Sequence, residues 1–202
     1  MNTQDYLSRI AKERGIPAEG LQLPACELVP ENIRTIMISE VPPKDPADGF
    51  YSNAPQPDYV KTALGLFAQA GVPVQSMADI LKLGIYVTTA VKTPKTGYTV
   101  DPEIIQAHLP LLQAELSLFP HLKVIMLMGD VAKKAVNMIA KAQTRKNIIP
   151  SKPTGGIRGN EYYWGEIRVF PSYIMTGKNL LIEPFKRDCV ADDIRRMMEL
   201  IT

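Results

Sequence analysis

Residues 123–142, KVIMLMGDVAKKAVNMIAKA, decide the fold. The run from 124 to 128 is apolar throughout and lacks the alternation of a half-wet strand, so it reads as a strand buried on both faces. Gly129 and Asp130 break the run. Val131, Ala135 and Ile139 then recur at helical spacing, which predicts a helix over about 131–142. A fully buried strand passing directly into an amphipathic helix is a unit of an α/β protein with a parallel sheet.

The same unit recurs on either side. Residues 35–39 (TIMIS) predict a buried strand that ends in Glu40-Val41-Pro42-Pro43 and a long proline-bearing loop. Asp58 opens a helix with Val60, Leu64 and Phe67 on one face, and a short helix over 77–81 leads to a strand over 85–90. A basic loop (VKTPKTG, 91–97) follows. Asp101-Pro102-Glu103 has the cap, proline and acid of a helix start, and that helix runs to about Leu118. A fourth strand is predicted over 166–170 and a last helix over 185–201. The first helix is expected over 3–14 with Thr3 as its N-cap, and 143–160 reads as a basic, glycine-rich loop. The expectation is one domain over 1–202, a three-layer α/β/α fold around a mostly parallel, four-stranded sheet.

Composition narrows the class. With 46% hydrophobic and 22% charged residues among 202, the chain is neither disordered nor collagen-like. Its apolar runs fall well short of the roughly 20 residues of a spanning helix, and the polar start does not read as a signal peptide. Cys26 and Cys189 have no bridge pattern around them, so a cytoplasmic setting is expected; a monomer is expected as well. A net charge of +2 neither demands nor excludes a nucleic-acid partner. No CxxC, HExxH, P-loop or GxGxxG motif occurs, which disfavours metal, nucleotide-triphosphate and nicotinamide chemistry.

In parallel α/β sheets ligands bind beyond the C-terminal strand ends. That convergence gathers Glu40, Asp45 and Asp48 from the first loop, with Phe50 and Tyr51. It adds Thr89, Lys92 and Lys95 after the second strand, and Ser172, Tyr173 and Lys178 after the fourth. Carboxylates, aromatics and lysines together suit a planar, phosphate-bearing ligand.

These segments resemble the uracil-DNA glycosylase superfamily. Residues 38–43 (ISEVPP) are similar to its Gly-Glu-Ala-Pro-Gly motif, and 86–92 (YVTTAVK) to its Tyr-Ile-Thr-Asn-Val-Val-Lys. Residues 110–132 resemble its helix, Pro-Lys-Val-Ile strand and Leu-Gly turn, and 170–173 (FPSY) its His-Pro-Ser-Tyr. Two residues depart from the pattern. Thr89 stands for the asparagine that reads the base edge, and Phe170 for the histidine that stabilises the leaving anion. Of the four cysteines of the iron–sulfur branch only Cys26 has a counterpart, so no cluster is expected.

The resemblance implies a DNA glycosylase hydrolysing the N-glycosidic bond of uracil or another deaminated base, with no cofactor and no metal. Glu40 and then Asp45 would be the catalytic acids. Pro42, Phe50, Tyr51, Thr89 and Ser172 would contact the base, and Lys92 and Lys178 the DNA phosphates. Two alternatives stay open: a relative that binds nucleic acid or a free base without excision, and an enzyme acting on a nucleotide or small glycoside.

Overall fold

Strand β1 (Thr35–Ser39) lies between β2 (Ile85–Thr89) and β3 (Val124–Met128), parallel to both. Strand β5 (Ile167–Ser172) extends the sheet in parallel from β3, and β4 (Tyr162–Trp164) closes the far edge antiparallel to β5, giving the order β2-β1-β3-β5-β4. All five residues of β1, β2 and β3 are buried, as the apolar run of β3 and the largely apolar runs of β1 and β2 require. The computed structural model describes residues 1–177, 180 and 183–202.

The helices cover both faces. On one side α4 (Pro102–Leu118) and α5 (Asp130–Thr144) bury Ile105, Leu112, Ala135 and Ile139 against Ile36, Ile38, Ile125 and Leu127. On the other, α2 (Asp58–Gln69), α3 (Met77–Lys82) and α7 (Pro184–Ile201) bury Phe67, Ile80 and Ile194 against Met37, Val87, Met126 and Phe170. Successive residues of each strand therefore feed opposite cores. Helix α1 (Thr3–Glu13) packs outside α4 through Leu7, Ala11 and Leu111. Among the described residues no helix is long and apolar enough to cross a membrane.

Three expectations are corrected. The sheet has five strands, because β4, only three residues long, is too short to read beside the loop. Gly165, at φ +61°, turns it directly back into β5. Helix α1 is capped by Asn2, whose side chain accepts from the Asp5 N–H, while the Thr3 hydroxyl donates to Pro24 O at 2.7 Å. Residues 143–160 are not all loop: they include the short helix α6 (Thr154–Ile157) and the buried Ile149. The Asn137 side chain ties this segment down, accepting from the N–H groups of Ile148 and Ile149 and donating to Ile149 O.

Arg145 ends α5 in the left-handed region at φ +61°, where a β-carbon is unfavourable. Arg145→Gly is therefore expected to stabilise the fold by about 0.5 kcal/mol net of the added unfolded-state freedom. Urea unfolding checks this. A lowered midpoint would mean that the arginine side chain makes a stabilising contact.

Candidate functional site

The chain leaves β1 toward β2 and leaves β3 toward β5, so a crevice opens between the C-terminal ends of β1 and β3. Glu40 follows β1 and Gly129 follows β3 at this switch point. The Glu40 Oε1 accepts the Val131 N–H at 3.1 Å, which caps the start of α5 and matches negative charge to the helix N-terminus. Gly129 has φ +107° and ψ 176°, a conformation essentially reserved for glycine. A β-carbon there would lie 2.5 Å from Glu40 Oε1.

Beside the crevice, between the loop after β1 and the outer edge of β2, lies a cleft of about 280 Å³. That is near the lower end of small-molecule sites. Pro42, Phe50 and Tyr51 supply one wall, Thr88 and Thr89 the floor, and Leu21 to Pro24 of the N-terminal connector the other wall. Gln22 straps that connector down, its side chain donating to Pro43 O at 2.8 Å and its N–H to Lys92 O at 2.7 Å. Among the described residues no lysine, arginine, aspartate or glutamate lines the cleft.

Two aromatic residues are fixed in place. β2 is an edge strand, and the Tyr51 hydroxyl covers its exposed main chain, donating to Val87 O at 2.8 Å and accepting from Val87 N–H at 3.2 Å. Its ring stacks on Tyr86 at 6.4 Å. Burial pushes the Tyr51 phenol well above its usual range, so it stays a neutral donor. Phe50 packs against Tyr59, whose hydroxyl donates to Val41 O at 3.2 Å. Burial also raises the Tyr59 phenol, and the charges of Glu40 and Asp48 add to the shift.

Beneath the cleft floor lies a buried ion pair. Lys92 Nζ meets Glu115 Oε2 at 2.6 Å and donates to Thr88 Oγ1 at 2.7 Å and to Thr89 O at 2.6 Å. Tyr86 and Thr88 donate to the other Glu115 oxygen. Burial holds the lysine below its usual pKa, against the opposing pull of Glu115. The Lys92 N–H donates to His108 Nδ1, so that nitrogen is unprotonated, and burial and the Lys92 charge lower the histidine pKa.

The expected residues thus separate. Pro42, Phe50, Tyr51 and Thr89 come together in one cleft. Glu40 stands apart at the crevice as a half-exposed helix cap. Asp45 is exposed and caps the turn Pro46–Asp48, accepting from Ala47 N–H at 2.9 Å. Two residues take other roles than expected. Lys92 is fully enclosed and its three ammonium protons are all taken, so it offers nothing to a phosphate. Ser172 is fully buried and donates to Asp193 Oδ2 at 2.6 Å, turned away from the cleft. Lys95 is exposed on its loop, and Lys178 lies outside the described residues.

Sequence reasoning misses Tyr59, the connector wall and Thr88. Tyr59 follows the loop in the first turn of α2, an aromatic placement that is a legible signal. The connector gives none beyond its prolines. Cys26 is buried against the Thr3 hydroxyl at 3.3 Å, and burial pushes its thiol up, away from nucleophilic use. Among the described residues no group of three or more His, Cys, Asp or Glu side chains is placed to hold a metal ion. The chain matches no protein-family model and no curated protein sequence.

Proposed function

We propose that the cleft receives a single base turned out of DNA, and that the protein is a glycosylase of the uracil-DNA glycosylase type acting on uracil or another deaminated base. The observation that carries this reading is the cleft itself. It is small, uncharged, walled by fixed aromatics and floored by two threonines, and it collects four of the residues that the sequence resemblance assigns to the base. A neutral planar ring fits such a lining. A free nucleotide does not, since no cation there meets its phosphate.

Thr89 offers one hydroxyl to the base edge, while its carbonyl is held by Lys92. As the glycosidic bond breaks, the sugar gains positive character and the base negative. Glu40, anchored through Oε1, keeps Oε2 to face the sugar cation or orient a water, and Asp45 would assist from the loop. For the departing anion the described residues provide little. Phe170 donates nothing and packs against Arg168 and Arg196, and the Ser172 hydroxyl is spent on Asp193. Lacking one such donor costs about 100- to 1000-fold in rate, so excision should be slow.

The test is base excision from labelled strands carrying uracil, hypoxanthine or xanthine, with alkali to reveal abasic sites. Slow excision that falls about 100-fold in Glu40→Gln supports the proposal. Excision untouched by that change removes Glu40 from the mechanism. The spent Ser172 and the packed Phe170 favour one second reading, base recognition without excision. It predicts binding of the modified strand with no abasic product.

A further inference from the structure

Charge is strongly segregated along this chain. Residues 131–160 contain seven lysines and arginines and no acid, whereas all 21 acids lie elsewhere with the other 16 basic residues. Two of the seven are used internally. Lys133 is buried, paired with Asp130 and bonded to Lys152 O and Thr154 Oγ1, and Arg158 is paired with Asp192 and Asp193. The other five, Lys134, Lys141, Arg145, Lys146 and Lys152, are exposed, and their side chains enter no ion pair among the described residues.

The fold gathers these charges on one face. Lys134, Lys141 and Arg145 are seven and four residues apart and so share a stripe of α5. The following segment runs back along the same helix, tethered to Asn137 near Ile148 and to Lys133 near Lys152. A shallow hollow of about 250 Å³ opens between them, flanked by Lys134 and Lys141 and edged by Asn147 and Ser151. The two lysines are about 10 Å apart along the helix axis. Phosphates of one strand recur at about 3.4 Å, so the pair spans on the order of three nucleotides.

We propose that this face is a docking surface for the phosphate backbone of a nucleic acid. Five exposed cations with no ion pair among the described residues, within thirty residues of a protein whose net charge is only +2, make a concentrated polyanion site. A membrane surface fits less well. Amphipathic membrane contacts need apolar side chains among the basic ones, and none of the exposed large apolar residues falls within 131–160. The apolar part of the hollow, Pro102, Ile105 and Met138, lies within it, and the amides and hydroxyl of Asn137, Asn147 and Ser151 beside the lysines are groups that serve at phosphate-contacting surfaces. This surface is separate from the cleft, and the inference shares with the glycosylase reading only the class of partner.

The test compares Lys134→Glu/Lys141→Glu with the control Lys61→Glu/Lys82→Glu. The control makes the same charge change on α2 and α3, across the sheet. Binding of undamaged single- and double-stranded oligonucleotides is followed by fluorescence anisotropy over a salt series, with thermal melting to verify folding. The α5 variant should lose tenfold or more in affinity at low salt. Its slope of log affinity against log salt on duplex should fall by about 1.8, near 0.9 per lost contact. The control should change by much less. Equal losses in the two variants overturn the proposal, as does absence of binding by the unaltered protein at low salt. A loss seen with phosphatidylserine vesicles but not with nucleic acid overturns it as well. No base is excised in this experiment, so it can fail while the cleft reading stands, and the reverse.

Discussion

Lys92→Met is expected to destabilise the protein by about 3–5 kcal/mol, the usual cost of stranding one charge of a buried pair. Domains of this kind are stable by about 5–15 kcal/mol, so the variant should lose about a fifth of its stability or more. The reason is geometric. Lys92 and Glu115 are 0% and 1% exposed, and removing the ammonium leaves a carboxylate in the core with only Tyr86 and Thr88 donating to it. Glu115→Gln alone should cost a comparable amount, because it strands the ammonium instead. The double variant should cost at least about 2 kcal/mol less than the sum, since no charge then remains and the new amide oxygen can still accept from both hydroxyls. A double-mutant cycle by urea unfolding measures this, and strict additivity would contradict it. The pair also fixes the Thr88 hydroxyl and the Thr89 carbonyl, so the single variants should loosen the cleft floor as well.

Gly129→Ala is expected to affect stability and chemistry together. The backbone conformation at φ +107° alone costs a β-carbon-bearing residue of order 1–3 kcal/mol. The new β-carbon would also meet the Glu40 carboxyl, which must leave its bond to the Val131 N–H. The expected outcome is a loss of about 2–4 kcal/mol in unfolding free energy, with excision falling toward the level of Glu40→Gln. Stability lost with excision unchanged would show that the anchoring of Glu40 on α5 does not matter to the reaction.

These two positions also show what the sequence makes legible. The buried strands are readable because TIMIS and VIMLM are apolar almost without a break, and only a sheet covered on both faces tolerates that. Their order is not readable, since nothing local says that β1 lies between β2 and β3. Lys92 reads as one more cation of a basic loop because its partner is on another element. Glu115 carries the missing signal: it sits at helical spacing on the stripe of Ile105, His108, Leu111 and Leu112, and an acid on a buried stripe implies a buried counter-charge. Ser172 is misplaced by sequence because period-two alternation does not say which face of β5 leads to the cleft. The grouping of Pro42, Phe50, Tyr51 and Thr89 is legible because they lie at the end of β2 or on the loop after β1, and parallel topology gathers such loops at one edge of the sheet. β4 escapes because three residues are too few to establish a period.

Binding of one base in the cleft between the Pro42–Tyr51 loop and the end of β2, as proposed, is open to direct test. Backbone amide shifts on titration with a short uracil-containing single strand test it most directly. Saturable shifts are expected at Gln22, Gly49, Phe50, Tyr51, Thr88 and Thr89, larger with uracil than with an abasic strand of equal length. Shifts confined to residues outside the cleft, or identical with and without the base, would contradict it.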